Sequence, residues 1–467
     1  MQNSVDSSPI LPLSNGNWII NQTTRVEDET IILNRNLTIQ ANGNLTLRNV
    51  ILLMNCSYDG QFHVSVQNNG QLFIENSFIS AANIAYAWCF QAYAGSLIHI
   101  SNSSFSYAGY ENNWHDFYGE RVGIWINSDN AEIKNCTIYS CYYGLYLFSR
   151  ASYCLIINNT ILNNSYGICL NGSDDSWVSH NFLMGNFFNE IVLEGSANST
   201  VSHNTVIGSY GPGILIKSSY TNVVRNNSVT NSNGNGIILN QTQSSVITNN
   251  TITNNSECGI VVSSSFFVSL SCNSICNGNK TGLLLLASPL NVLNNNIIKN
   301  NREDGIYLNQ SGRNVLSSNN IANVSRNGIH LSESSGSILE SNLVLNASQH
   351  GIFINSSDKC NITLNTLTNS GKDGIYLYGT NNSTLSNNII AESGDYGIHL
   401  EESFNCTLNN NIIIHAGKEQ IFSHRFSSQT MNESNYAARL AIGVTIWTFA
   451  ILTSLLIGWW LIRPKRL

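Results

Sequence analysis

The chain has 467 residues, of which 10% are charged and 42% hydrophobic, and it carries a net charge of −7. So few charges exclude disorder driven by high charge, and the mild acidity supplies no basic patch, which excludes nucleic acid as a partner. Proline is rare, with five, while Asn, Ser, Ile, Leu and Thr are abundant, a balance that favours strands and turns over helices.

Residues 1–16 begin "MQNSVDSSPILPL", with no basic start and no long apolar run, so they do not read as a signal peptide. A repetitive region follows over 17–426. Trp18 to Leu37 starts its first unit and caps the core. "NGNLTLRNV", "NNGQLFIENSF" and "AGSLIHISNSSF" then repeat one strand-like pattern, trailed by Asn49, Asn76 and Asn102 at spacings of 27 and 26. The next step, to Asn135, is 33 residues and contains "SYAGYENNWHDFYGERVG".

Beyond this insertion a 23-residue clock takes over. Gly144, Gly167, Gly213, Gly236 and every twenty-third residue to Gly397 open a tetrapeptide of the G-I-x-L kind. Glu190 stands in the series in "EIVL", and Gln420 closes it in "QIFS". A second column, Asn135 to Asn411, keeps the same step, with an apolar residue such as Ile252 or Ile298 two positions on. Within each unit the apolar residues alternate, which is the period of a strand. Three short strands and three turns in 23 residues make one coil of a parallel β-helix, each coil ~4.8 Å above the last. A single coil cannot bury its inner face, whereas a stack can. The asparagines are expected at a corner, tolerating left-handed backbone and bonding up and down their column, with Asn135 and Asn158 among them. The glycines mark a permissive backbone or a close approach. Both columns read as scaffold.

These repeats resemble those of right-handed, pectate-lyase-like β-helix proteins. The kinship extends to the carbohydrate-binding and sugar-hydrolase group, the NosD-like accessory proteins and archaeal cell-surface β-helix proteins. The resemblance covers Asn17 to about Phe426. It implies an all-β, right-handed, single-stranded parallel β-helix and says little about activity. Lyases of this fold use clustered acids for calcium, and its polygalacturonase-like members use aspartates grouped on adjacent coils. Neither pattern is present: Asp174 and Asp175 have Ala151, Ser152, Ala197 and Asn198 one coil away.

Three features carry candidate chemistry. The first is the column two residues after each glycine, which faces outward and becomes aromatic as Tyr307, His330, Phe353, Tyr376, His399 and Phe422. Stacked rings stabilise a β-ladder, and aromatic faces also receive sugar rings. The column before the glycine adds Asp304 and Asp373, with Asn327, His350 and Tyr396 between and beyond them. The second is the insertion, where Trp114 and Tyr118 are candidate ligand contacts and His115, Asp116, Glu120 and Arg121 weak catalytic candidates; a capping loop is the competing reading. The third is His180 and His203 on adjacent coils, a weak candidate metal pair without a third ligand. The NosD-like resemblance makes copper the metal to consider there. The eleven cysteines include no Cys-x-x-Cys pair. They read as small buried thiols, with one or two disulfides as the alternative outside the cell. No cofactor is implied.

After a polar stem at 427–438, residues 439–462 form an apolar stretch long enough for one membrane helix, with Trp459 and Trp460 near its end. The basic tail 463–467 places the C-terminus in the cytoplasm and the β-helix outside, a cytoplasmic β-helix being the competing topology. The 24 Asn-x-Ser/Thr triplets give Asn240, Asn309, Asn355 and Asn381 as candidate glycosylation sites, whereas Asn135 and Asn158 are expected inside the ladder. Together these features describe a membrane-anchored surface protein with a glycan or another envelope component as its expected partner. A polysaccharide lyase or hydrolase is one alternative and a metal-delivery accessory another.

Overall fold

The structure is a computed structural model that describes residues 16–110, 123–149 and 151–424, together with two short strands, Gln429–Met431 and Tyr436–Ala438. Its 54 strands form three parallel sheets, and each coil contributes one strand to each sheet. One coil serves for all. Ile237–Asn240 pairs with Ile260–Ser263, Val246–Thr248 with Ser269–Ser271, and Thr251–Thr253 with Ser274–Cys276. Each of these three pairings steps by one 23-residue coil, so the expected β-helix is the fold.

Alternation along each strand decides what goes inside. Ile237, Leu239, Ile247 and Ile252 are fully buried, while Ile238 between them is half-exposed. Each such side chain contributes roughly 1.5–3 kcal/mol when enclosed, and only coils above and below can enclose it. The glycines that open the first strand owe their place to close approach. A Cβ on Gly259 would stand 2.2 Å from Ile275 Cγ2 and 2.6 Å from Gly282 O. The backbone there is not left-handed, so the permissive-backbone alternative does not apply.

The asparagine column is an unbroken buried ladder from Asn159 to Asn411. Each member donates Nδ2 to Oδ1 of the next at 2.9–3.0 Å. Two expectations need correction here. The ladder does not pass through Asn135 and Asn158. It passes through Asn159, to which Cys136 N–H donates, and the step from Asn159 to Asn181 is 22 residues. Asn135 and Asn158 are exposed, so the ladder does not shield their glycosylation triplets. The left-handed residue is the one before the rung, such as Asn249 at φ 56°, because the chain must turn there before the amide can point inward. A second, exposed ladder runs along the next corner from Asn254 through Asn277, Asn300, Asn323 and Asn346 to Asn369.

The stack continues past 426. Gln429–Met431 pairs with Cys406–Leu408 and Tyr436–Ala438 with Ile412–Ile414, so the segment expected as a stem supplies two strands. Among the described residues no helix is long and apolar enough to cross a membrane, and the span read at 439–462 lies outside them. None of the eleven cysteines is in a disulfide, and nine of them are buried. Burial pushes the Cys136 thiol up to about 11 and that of Cys141 up to about 12, which suits inert packing groups.

Candidate functional site

The first sheet sends residues one and three after each glycine inward, so residue two stands on the outer face. Tyr307, His330, Phe353, Tyr376, His399 and Phe422 occupy it, half-buried, at successive strands of one parallel ladder. Their rings lie on one another. Centroids are 4.4 Å apart from Tyr307 to His330, then 4.8, 5.1 and 4.5 Å to Tyr376 and His399, with interplanar angles of 12–23°. Only His399 and Phe422 meet edge-on, at 62°. The ring faces are therefore spent within the column, and its outer surface consists of edges and hydroxyls. A sugar cannot lie flat on an inner rung.

The column before the glycine supports this strip from beneath. Asp304 is buried and accepts the backbone and side-chain N–H of Asn327 on Oδ1 at 2.8 and 2.9 Å. Its Oδ2 is 3.3 Å from His330 Nδ1. Asp373 accepts Tyr396 N–H at 2.9 Å, and its Oδ2 is 3.3 Å from His399 Nδ1 and 3.2 Å from His350 Nδ1. The His350 contact lies off the hydrogen-bond direction. Burial alone would raise the pKa of Asp373. The imidazoles of His350 and His399 and the Tyr396 N–H outweigh it and hold the carboxyl well below the usual carboxylate range. Tyr376 Oη donates to Glu401 Oε2 at 2.6 Å. Burial first, then this carboxylate, pushes the phenol well above its ordinary value, so it stays a donor. His330 Nε2 is covered and bonds no described residue. A ligand would meet the tyrosine hydroxyls and ring edges rather than that nitrogen.

Other predicted residues fare differently. Trp114, His115, Asp116, Tyr118, Glu120 and Arg121 lie outside the described residues. His180 and His203 stack in parallel, 4.8 Å apart at 3°, and His203 Nε2 is 3.1 Å from Asn226 Nδ2. They face one another rather than converging on a point. No group of three or more His, Cys, Asp or Glu is placed to hold a metal among the described residues.

Sequence reasoning missed a second aromatic cluster, at the corner preceding the first sheet. Tyr143 and Tyr166 stack at 4.4 Å, Tyr166 and Phe188 at 4.7 Å, and Phe187 lies 5.0 Å from the exposed Tyr210. An open groove lined by Tyr142, Asn163, Ser165 and Phe187 runs beside it. The signal was aromatic residues recurring at coil spacing, but it drifts from one column to the next and so falls outside a fixed register.

Comparison with curated proteins found no match. Solved structures of similar fold include the mannuronan C-5 epimerase AlgE4 A-module of Azotobacter vinelandii. That match is 12% identical, with a TM-score of 0.38, covering 83% of this chain and 91% of that one. A tailspike protein mutant of E. coli bacteriophage HK620, in complex with a pentasaccharide, is 12% identical, with a TM-score of 0.49, covering 84% and 73%. DFA-IIIase of Arthrobacter chlorophenolicus without its lid is 11% identical, with a TM-score of 0.38, covering 73% and 88%. The family model described as "Right handed beta helix region" matches residues 122–275, 228–357 and 337–447, which together span more than half of the chain. The chain therefore belongs to the right-handed β-helix family.

Proposed function

We propose that this protein is a membrane-anchored surface β-helix that binds a glycan along the outer face of its first sheet, between Tyr307 and Phe422. The observation that carries this is the make-up of the strip. Its ring faces are used up in stacking, so what it offers is a row of ring edges at strand pitch, punctuated by the Tyr307 and Tyr376 hydroxyls and the Glu401 carboxylate. Recognition by such a row is by hydrogen bonds, which suits a hydroxyl-rich polymer better than an apolar partner. Buried Asp304 and Asp373 fix the imidazoles, and Glu401 fixes the Tyr376 hydroxyl, so little ordering remains for a ligand to bring about. Residues 439–462 would hold the β-helix at the outer surface of the cell membrane, with 463–467 in the cytoplasm. A glycan array probed with the full chain in detergent tests the binding. Retained binding is expected for the unsubstituted chain and loss for Tyr376→Ala; equal signal from both would remove the strip from the account. Recovery in the membrane fraction after alkaline extraction tests the anchor.

A further inference from the structure

The strip contains the same set of side chains twice. Asp304, Tyr307, His330 and Glu333 recur as Asp373, Tyr376, His399 and Glu402, each displaced by 69 residues, which is three coils. The Asp–His and Tyr–His contacts recur with the residues, although the Tyr376 hydroxyl donates to Glu401 where the first copy has Ser332. The aspartate Oδ2 is 3.3 Å from the histidine Nδ1 in both copies. Each aspartate is buried, and its Oδ1 accepts the backbone N–H of the residue one coil on, Asn327 or Tyr396. Each tyrosine stacks on its histidine, at 4.4 and 4.5 Å. Each glutamate is exposed at a left-handed corner, at φ 49° and 50°. The coils between do not repeat this set: at the aspartate position they carry Asn327 and His350, and at the tyrosine position His330 and Phe353. The flanks differ too, since His350 joins the second aspartate where Thr281 stands for the first.

We infer that these are two copies of one subsite, three coils or about 14 Å apart, which grip a linear glycan at two points along its length. This rests on the glycan reading above. A subsite repeated three coils further along the same sheet face suits a ligand that itself repeats in one direction. Packing alone does not call for an exposed glutamate at the same corner of both copies. Once one copy is engaged, the second meets the ligand at high local concentration, so affinity depends on ligand length.

The test is calorimetric titration of the full chain with size-graded linear oligosaccharides, one neutral glucan series and one acidic galacturonan series. In the series that binds, affinity is expected to rise by roughly a hundredfold or more once the oligomer spans both copies. Tyr307→Phe and Tyr376→Phe, which keep the ring stack, should each remove that rise and leave short oligomers still bound. Glu333→Gln and Glu402→Gln, which change only exposed members, should act in the same paired way. If Tyr376→Phe abolishes binding at every length while Tyr307→Phe changes nothing, there is one site, and the twin subsites are overturned with the glycan reading intact. If the unsubstituted chain binds neither series, both fall.

Discussion

Asn250 donates Nδ2 to Oδ1 of Asn273 at 3.0 Å, and its backbone N–H reaches the same oxygen at 3.1 Å. One buried oxygen thus satisfies two donors on the coil before it. Asn273→Ala strands the Asn250 backbone N–H and leaves Nδ2 only Val224 O and Thr248 O, and an unsatisfied buried donor costs about 1–3 kcal/mol. Chemical denaturation should show a loss on the order of 3 kcal/mol. Asn300→Ala, in the exposed ladder, leaves its neighbours open to water and should stay within about 0.5 kcal/mol. Equal losses would mean that the inner ladder is decoration.

Gly259 is fixed by contact rather than by backbone angle. Gly259→Ala drives a methyl into Ile275 Cγ2 and Gly282 O, an overpacking that typically costs about 1–3 kcal/mol. Adding Ile275→Ala removes the side-chain part of the clash, so the double variant should be more stable than the sum of the two single losses. Thermal unfolding of the four chains measures this coupling, and strict additivity would contradict the contact.

Glu190 stands where its neighbours in the column are glycine, and it is fully buried. Asn164 donates its backbone N–H and Nδ2 to Asn186 Oδ1 in a short buried run, and Asn186 lacks the next rung because Ser209 bonds Gly211 O instead. The Glu190 carboxyl fills the gap, accepting Asn186 N–H at 3.1 Å and meeting Asn186 Nδ2. Burial raises its pKa from 4.5 to about 7. The folded state therefore holds the proton more tightly than the unfolded one. This contribution is fully present below about pH 4.5 and is lost as pH rises through about 7, a change on the order of 3 kcal/mol. Denaturation midpoints of wild type and Glu190→Gln should therefore diverge across that window, with wild type relatively weaker at high pH. Parallel curves would show that the carboxyl does not titrate there.

The clock made the architecture legible because stacking forces equivalent residues into one column, and a column of Gly or Asn survives in the sequence. The ladder's slip was not legible. Asn158 and Asn159 are both asparagine, and only the inward turn at φ 58° on Asn158 tells rung from corner. The outward aromatic column was legible from period two, whereas the ring tilt that spends its faces follows from packing and leaves no trace in spacing. The Asp–His pairs span 26 residues, one coil plus three, a separation that matches neither column alone. The Tyr143–Tyr166–Phe188 cluster was missed because it drifts across columns. Glu190 looked like a worn glycine because its partner Asn186 sits outside both columns.

A glycan bound as proposed lies along the Tyr307–Phe422 strip. Hydroxyl-radical footprinting of the full chain, with and without a bound oligosaccharide, reads that placement residue by residue. Protection of Tyr307 and Tyr376 with Tyr210 and Phe187 unchanged is the predicted result. Protection confined to Phe187 and Tyr210, with the strip unchanged, would contradict it and move the ligand to the other aromatic corner.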